Sequence, residues 1–376
     1  MTKRTLLPLL TTAGPHGSRS HMTCEYRCGN ACDKPIPNQT DHPEFHEVAA
    51  RAIARRSVLK AAGTGAGALV VGGLTGSPAA AAPSASARRP AGGGVGTADF
   101  TPVAPNVHDR VTVPQGYRSD VVIKWGDPVT RQARPFDVNH QTPAAAATQF
   151  GYNNDYVGVI PTGDRRALLV TNHEYTDEQL MFPTGRYDSA TIKQIAIASH
   201  GMAVVEIVRG RRRGSWTTVN HRSARRNRRI TGSSPFRLVG PAAGDSRLRT
   251  AEDPSGRTVL GTLGNCAGGT TPWGTVLSGE ENFNGYFDTS GPLDARYTES
   301  YRRYGIAGSG RGWNEVDQRF DLAKEPHEPF RFGWIVELDP TDPRSTPLKR
   351  TMLGRFKHEG ANVTIADSGH AVVYMG

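Results

Sequence analysis

Residues 258–287 read TVLGTLGNCAGGTTPWGTVLSGEENFNGYF. The apolar runs here are short, and glycine interrupts them at 261, 264, 268, 269 and 274. Between Cys266 and the paired carboxylates Glu280 and Glu281 there is room for a loop, a strand and a return. A soft thiol, a permissive backbone and two adjacent acids are what a metal site needs. In a strand, neighbouring side chains point to opposite faces, so one of the pair can enter a given site; Glu281 ranks first and Glu280 second.

Downstream, FGWIVEL (332–338) is a strand stopped by Asp339-Pro340, and LKRTML (348–353) leads into Gly354-Arg-Phe-Lys-His-Glu-Gly360. Residues 362–365 and 370–374 form a hairpin across Ala366-Asp367-Ser368-Gly369. Residues 291–330 are polar, aromatic and glycine-rich, and read as a long loop or insertion. Upstream, 111–114, 117–125, 150–161, 167–171 and 202–208 carry strand patterns, and 186–200 is the one convincing helix. Short, repetitive strands with few helices indicate an all-β repeat fold, a sandwich or a β-propeller.

The composition agrees. The chain has 376 residues with 43 Gly and 26 Pro, and its apolar fraction is only 37%, which favours turns over long helices. No apolar run reaches the ~18–20 residues of a membrane span without glycine breaks. The net charge of +10 suits anionic partners such as phosphate compounds, nucleic acid or a wall polymer. Nine arginines and no acid fall between Arg209 and Arg229. Trp216 is the one aromatic among them, which argues against nucleic acid, and the run reads as a solvated loop beside a strand end.

Four segments follow. Residues 1–53 are a long leading region with Cys24, Cys28 and Cys32, spaced so that they could hold a metal but read as part of a removed leader. Residues 54–82 begin ARRSVLK, continue through a weakly apolar Ala/Gly stretch and end in small residues, the layout of a twin-arginine export signal. Residues 83–99 read as a flexible linker, and 100–376 as the mature domain. Export by that route carries folded proteins, which leans toward a cofactor loaded inside the cell. After cleavage Cys266 is the one remaining thiol, so it is buried, reactive or a ligand, not a disulfide partner.

His173-Glu174 and His358-Glu359 each end a strand run. With Cys266 and Glu281 they make a mixed set: carboxylates suit Ca²⁺ or ferric iron, imidazole and thiolate suit transition metals. Lys357 and Arg355 beside Glu359 would neutralise a bound phosphate. Motifs for the nucleophile elbow, the HExxH zinc helix and the P-loop are missing.

Five motifs in order carry a resemblance. They are Asn172-His173-Glu174, Asn265-Cys266-Ala-Gly-Gly-Thr-Thr-Pro-Trp-Gly274, Glu280-Glu281-Asn282-Phe-Asn-Gly-Tyr286, Gly333-Trp-Ile-Val-Glu-Leu-Asp-Pro340 and Gly354-Arg-Phe-Lys-His-Glu-Gly-Ala361. The chain resembles the PhoX-type alkaline phosphatases over about residues 21–376. The resemblance implies a six-bladed β-propeller, monomeric and exported by the twin-arginine machinery, with about half to two-thirds of the ring present because the family continues beyond the 362–374 hairpin. It implies hydrolysis of phosphate monoesters in an extracellular or cell-surface location, with no nucleic acid or membrane partner. It implies iron (Fe³⁺) and Ca²⁺, with Cys266 an iron ligand, Glu281 and Glu359 bridging acids, Glu174 a calcium ligand and Lys357, with Arg355, holding the phosphate. A metal-held oxide or hydroxide would then attack in line. Gly279 stands where members often carry a second cysteine. Two other readings of the same residues are a calcium-dependent propeller hydrolase of other esters (a lactonase or phosphodiesterase) and a non-catalytic anion-binding β-scaffold.

Overall fold

The structure, a computed structural model, describes residues 101–308 and 310–376. The export segment at 54–82, the linker at 83–99 and Cys24, Cys28 and Cys32 lie outside the described residues. The described part is mostly β-sheet. In the first sheet β1 (Asn154–Gly163), β2 (Arg166–His173), β3 (Gly201–Arg209) and β4 (Trp216–Thr218) lie side by side, and β5 (Arg228–Ile230) also pairs with β3. All of these pairings are antiparallel.

The second sheet contains β6 (Pro235–Val239), β7 (Thr258–Leu260), β8 (Asn265–Thr270), β9 (Val276–Glu280), β10 (Ile335–Leu338) and β11 (Leu348–Arg350). Their order is β7-β6-β11-β10-β9-β8, with β11 and β6 parallel and every other pair antiparallel. The hairpin expected near the end forms as β12 (Ala361–Ile365) and β13 (Ala371–Met375). Among the described residues the sheets do not close into a ring.

Sequence explains most of these elements. β2 is buried from Ala167 to His173, which is why it reads as a continuous apolar run instead of an alternation. Among the described residues four α-helices accompany the strands: α1 (Pro143–Ala146), α2 (Glu178–Met181), α3 (Ser189–Ser199) and α4 (Thr298–Tyr304). Helix α3 starts where the Asp188 carboxylate accepts from Thr191 N at 2.7 Å. It stops before Gly201, which has φ +97° and lies so close to Ile230 that a Cβ would sit 2.2 Å from its carbonyl oxygen. Among the described residues no helix is long and apolar enough to cross a membrane.

Two expectations are corrected. Residues 111–114 and 117–125 form no strand. Their alternation has no neighbouring ladder, and Trp125 instead packs edge-on against Phe136 and Tyr152. Residues 291–330 are not a peripheral loop. They hold α4 and four 3₁₀ turns, the last running on to Arg331, and they bury Tyr301, Ile306, Trp313, Phe320 and Phe330. These rings complete one core with Leu168, Val170 and Val204 of the first sheet and Phe236 and Val336 of the second. Aromatics carry that core because each buries a large apolar area from a segment with little regular structure.

At the centre of the second sheet lies an ion pair. Lys349 Nζ on β11 is 2.8 Å from Glu280 Oε1 at the end of β9, and both side chains are fully buried. Glu280 also accepts from Thr262 Oγ1 (2.8 Å), Gly333 N (3.1 Å) and Trp334 N (3.2 Å). Lys349 donates further to Arg331 O at 3.1 Å and lies 3.8 Å from the Phe332 ring centre. Burial lowers the lysine to about 8, with Glu280 opposing the shift. Removing one member strands a buried charge, so Lys349→Met is expected to cost about 3–5 kcal/mol in urea unfolding. A loss under about 1 kcal/mol, the scale of an exposed pair, would show that the pair is not the brace described.

Candidate metal centre

Asp155, Glu174 and Cys266 meet where the two sheets adjoin. Each offers a ligand atom, and these atoms all lie within 4.8 Å of one another. Asp155 is exposed, Glu174 half-buried and Cys266 buried, with 6% of its surface exposed. Among the described residues the thiol has no disulfide partner.

Strand irregularity aims two of the three. The β1–β2 register slips between Asn154 and Val157, so Asp155 falls in a bulge. The β8–β9 register slips between Asn265 and Gly268, so Cys266 falls in a second bulge. A bulge re-aims a side chain that a regular strand would send along the pleat. Glu174 follows the last residue of β2, and its N–H donates to Asn153 O at 3.0 Å. Asn153 has φ +46°, the one non-glycine left-handed residue among those described. Asn172 Nδ2 donates to the Cys266 carbonyl, which locks the end of β2 to β8. Tyr156 Oη and Thr270 Oγ1 tie β1 to β8 at 2.9 Å.

The histidines support the frame. His173 is fully buried; Nδ1 is 2.9 Å from Asn154 Oδ1, and Nε2 accepts from Gly151 N at 3.3 Å. Burial holds it well below the usual imidazole range, so it stays neutral. His358 is buried too, with Nε2 3.1 Å from Gly354 O.

The electrostatics are those of crowded anions. Glu174 is pushed up to about 7, first by burial, then by the charges of Asp155, Glu281 and Glu359, against a hydrogen bond from Cys266. The Cys266 thiol is pushed up by burial and then by Glu174 and Asp155. Among the described residues no lysine or arginine forms an ion pair with any of these four carboxylates. Asn172 Oδ1, fully buried, has no hydrogen-bond partner there. A soft sulfur among hard carboxylate oxygens, short of positive charge, is a donor set that fits bound cations.

The expected site residues separate into two groups. Cys266 and Glu174 belong to the cluster, and Glu281 and Glu359 are near enough to raise Glu174. Glu281 N donates to Gly264 O at 2.9 Å, and Glu359 N donates to Gly376 O at 2.9 Å. Glu280 is corrected: its side chain faces the buried Lys349, with both oxygens in use, so it is a structural brace and not a metal ligand. Arg355 is also corrected. Its Nε and Nη2 donate to Phe332 O (2.8 Å) and Pro329 O (2.7 Å), and its guanidinium lies 4.2 Å over the Tyr304 ring. With those donors spent on backbone, it braces the 354–360 segment instead of gripping phosphate. Lys357 is exposed, its Nζ beside Gly305 at the end of α4.

Gly279 has a geometric reason. A Cβ there would come within 2.3 Å of His358 O and 2.4 Å of Glu359 O. Glycine lets the segment carrying Glu359 lie directly on β9. Asp155 escaped the sequence reading, and Asn172 entered it only as part of a motif, with no role of its own. Asp155 sits inside the strand-like run 150–161, and its one signal is the polar Asn153-Asn154-Asp155 at the start of that run.

These features define a β-propeller-type protein with a thiol–carboxylate centre built at strand ends. The family described as alkaline phosphatase PhoX matches residues 98–376, and the chain belongs to that family. It is similar to a solved structure described as Pseudomonas fluorescens PhoX in complex with vanadate, a transition state analogue. Identity is 45% and the TM-score 0.66, over 70% of this chain and 46% of that one. The chain thus spans less than half the length of that relative. No curated protein matches it.

A pH test follows from Glu174. Its folded pKa of about 7 exceeds the ordinary 4.5, so the folded state binds the extra proton between those values. Chelator-treated protein is therefore expected to lose stability as pH rises from about 4.5 through 7, and a divalent cation should restore it. Melting scans across that range check this; a rise in stability there without cation would contradict it.

Proposed function

We propose that the protein hydrolyses phosphate monoesters at this centre, with Fe³⁺ and Ca²⁺ as its cations. The observation that supports the reading most is the joining of Cys266 with Asp155 and Glu174, in a chain of the PhoX alkaline phosphatase family. A vanadate complex, described as a transition state analogue, is known for the Pseudomonas relative. Cations held by Cys266, Glu174 and Asp155, with Glu281 and Glu359 beside them, would supply Lewis-acid polarisation of the phosphoryl group.

The chain's own residues do the rest. Cys266 would hold a cation as its thiolate; burial, and then the surrounding acids, otherwise keep the proton on its sulfur. The carboxylates fix the charge and shape of the centre. Lys357, exposed and free of ion pairs among the described residues, sets its ammonium against the phosphoryl oxygens and offsets charge that builds in the transition state. Arg355 is a positioning residue, since its bonds to Phe332 O and Pro329 O hold the backbone two residues before that lysine.

The proposal extends to place and partners. The arginines at 55–56 and the stretch after them direct export by the twin-arginine machinery, and the protein acts as a monomer outside the cytoplasmic membrane on small phosphate monoesters.

Release of p-nitrophenol and inorganic phosphate from p-nitrophenyl phosphate by the purified protein tests the reading. Lys357→Ala is expected to lower kcat/KM by about 10²–10³, the scale of one lost charge-stabilising group. Cys266→Ser and Glu359→Gln are expected to lower iron and calcium content together with turnover. Turnover that survives both exhaustive chelation and Lys357→Ala would overturn the assignment.

A further inference from the structure

The arginines of 209–229 read as a solvated loop in sequence, but the fold gathers them with others from distant positions. Arg209 N donates to Arg165 O and Arg165 Nη2 donates to Arg209 O, both at 3.0 Å. This joins the β1–β2 turn to the end of β3. Arg211, Arg212 and Arg213 continue from there into the turn before β4, the outer strand of its sheet. Where β4 stops, the backbone N–H groups of Arg225 and Arg226 donate to Glu206 Oε1 on β3 at 2.6 and 2.7 Å. Arg131 Nε donates to Arg222 O at 2.9 Å and adds a further guanidinium.

Few acids oppose this charge. Glu206 is occupied by the two N–H groups and by Arg166 at 3.8 Å, and Asp120 by Arg212 at 2.8 Å. Arg211, Arg213, Arg222, Arg225 and Arg226 are exposed and make no ion pair among the described residues. A strip of uncompensated guanidinium groups along a sheet edge matches a chain of phosphates and not a single phosphate. The strip lacks an open aromatic platform, since Trp216 is its one aromatic and Arg209 lies over that ring at 4.8 Å. Single-stranded nucleic acid is held largely by stacking on such platforms.

We propose that this edge is a docking surface for an extended phosphodiester polymer without bases, of the poly(glycerol phosphate) type. The surface is separate from the thiol–carboxylate centre, and its contacts are salt-labile guanidinium–phosphate pairs.

Binding of the purified protein to immobilised poly(glycerol phosphate) over a salt series tests this. Log affinity should fall steeply and linearly with log salt. Exchanging Arg211, Arg213, Arg225 and Arg226 together for serine should weaken binding by at least about tenfold at ~50 mM salt and flatten the slope by about 3, at ~0.7 per phosphate contact. The same four positions changed to lysine should keep most of the affinity, which separates lost charge from lost fold. Affinity indifferent to salt, or unchanged in the serine variant, would overturn the proposal. So would tighter binding to single-stranded DNA of equal charge, which would make nucleic acid the partner.

Discussion

Glu280 and Lys349 meet at 2.8 Å in the fully buried interior of the second sheet. Three donors besides the lysine converge on the carboxylate, from Thr262 and the backbone of Gly333 and Trp334. The contact ties β9, β11 and the approach to β10 at one point. It is a demanding contact, because either charge alone would be stranded in apolar surroundings. Its consequences run outward along the chain. One residue past Glu280, Glu281 emerges toward the acid cluster, and a few residues past Lys349 the chain enters the segment that carries Lys357 and Glu359. Gly279, one residue before the pair, supplies the bare surface on which that segment rests.

The cluster itself is held by the opposite kind of constraint. Asp155, Glu174 and Cys266 are brought together by two bulges and a left-handed Asn153, and burial, followed by the crowding of like charges, raises Glu174 to about 7. Such an arrangement is costly for the protein alone and favourable once cations enter. The neutral, buried His173 and the amide of Asn172 fix the backbone around the cluster through Gly151 N and the Cys266 carbonyl.

The sequence displayed much of this. Continuous apolar runs at 167–171 and 202–208 marked buried strands, and 186–200 stood out as a helix, which forms as α3. Cys266 stood out as a thiol in a glycine-rich, polar setting. The Glu280–Glu281 pair was ranked with Glu281 first, but the alternation rule says only that one faces each way; what holds Glu280 on the other face is Lys349, which is far along the chain. Arg355 looked like a phosphate ligand because its neighbours are Lys357 and Glu359; that its donors go to Pro329 and Phe332 is a tertiary fact. Asp155 was hidden because a bulge is invisible to a two-residue period. Residues 291–330 looked like a loop because their burial rests on scattered aromatics and short turns instead of a periodic face.

Activity is proposed to depend on cations held by Cys266, Glu174 and Asp155. Anomalous X-ray scattering from crystals of the metal-loaded protein, recorded on either side of the iron absorption edge, tests it most directly. An iron peak is expected within bonding distance of Cys266 Sγ and of a carboxylate oxygen from Glu174 or Asp155. A metal-loaded, active protein whose iron lies elsewhere, or whose Cys266 has no metal against it, would contradict it.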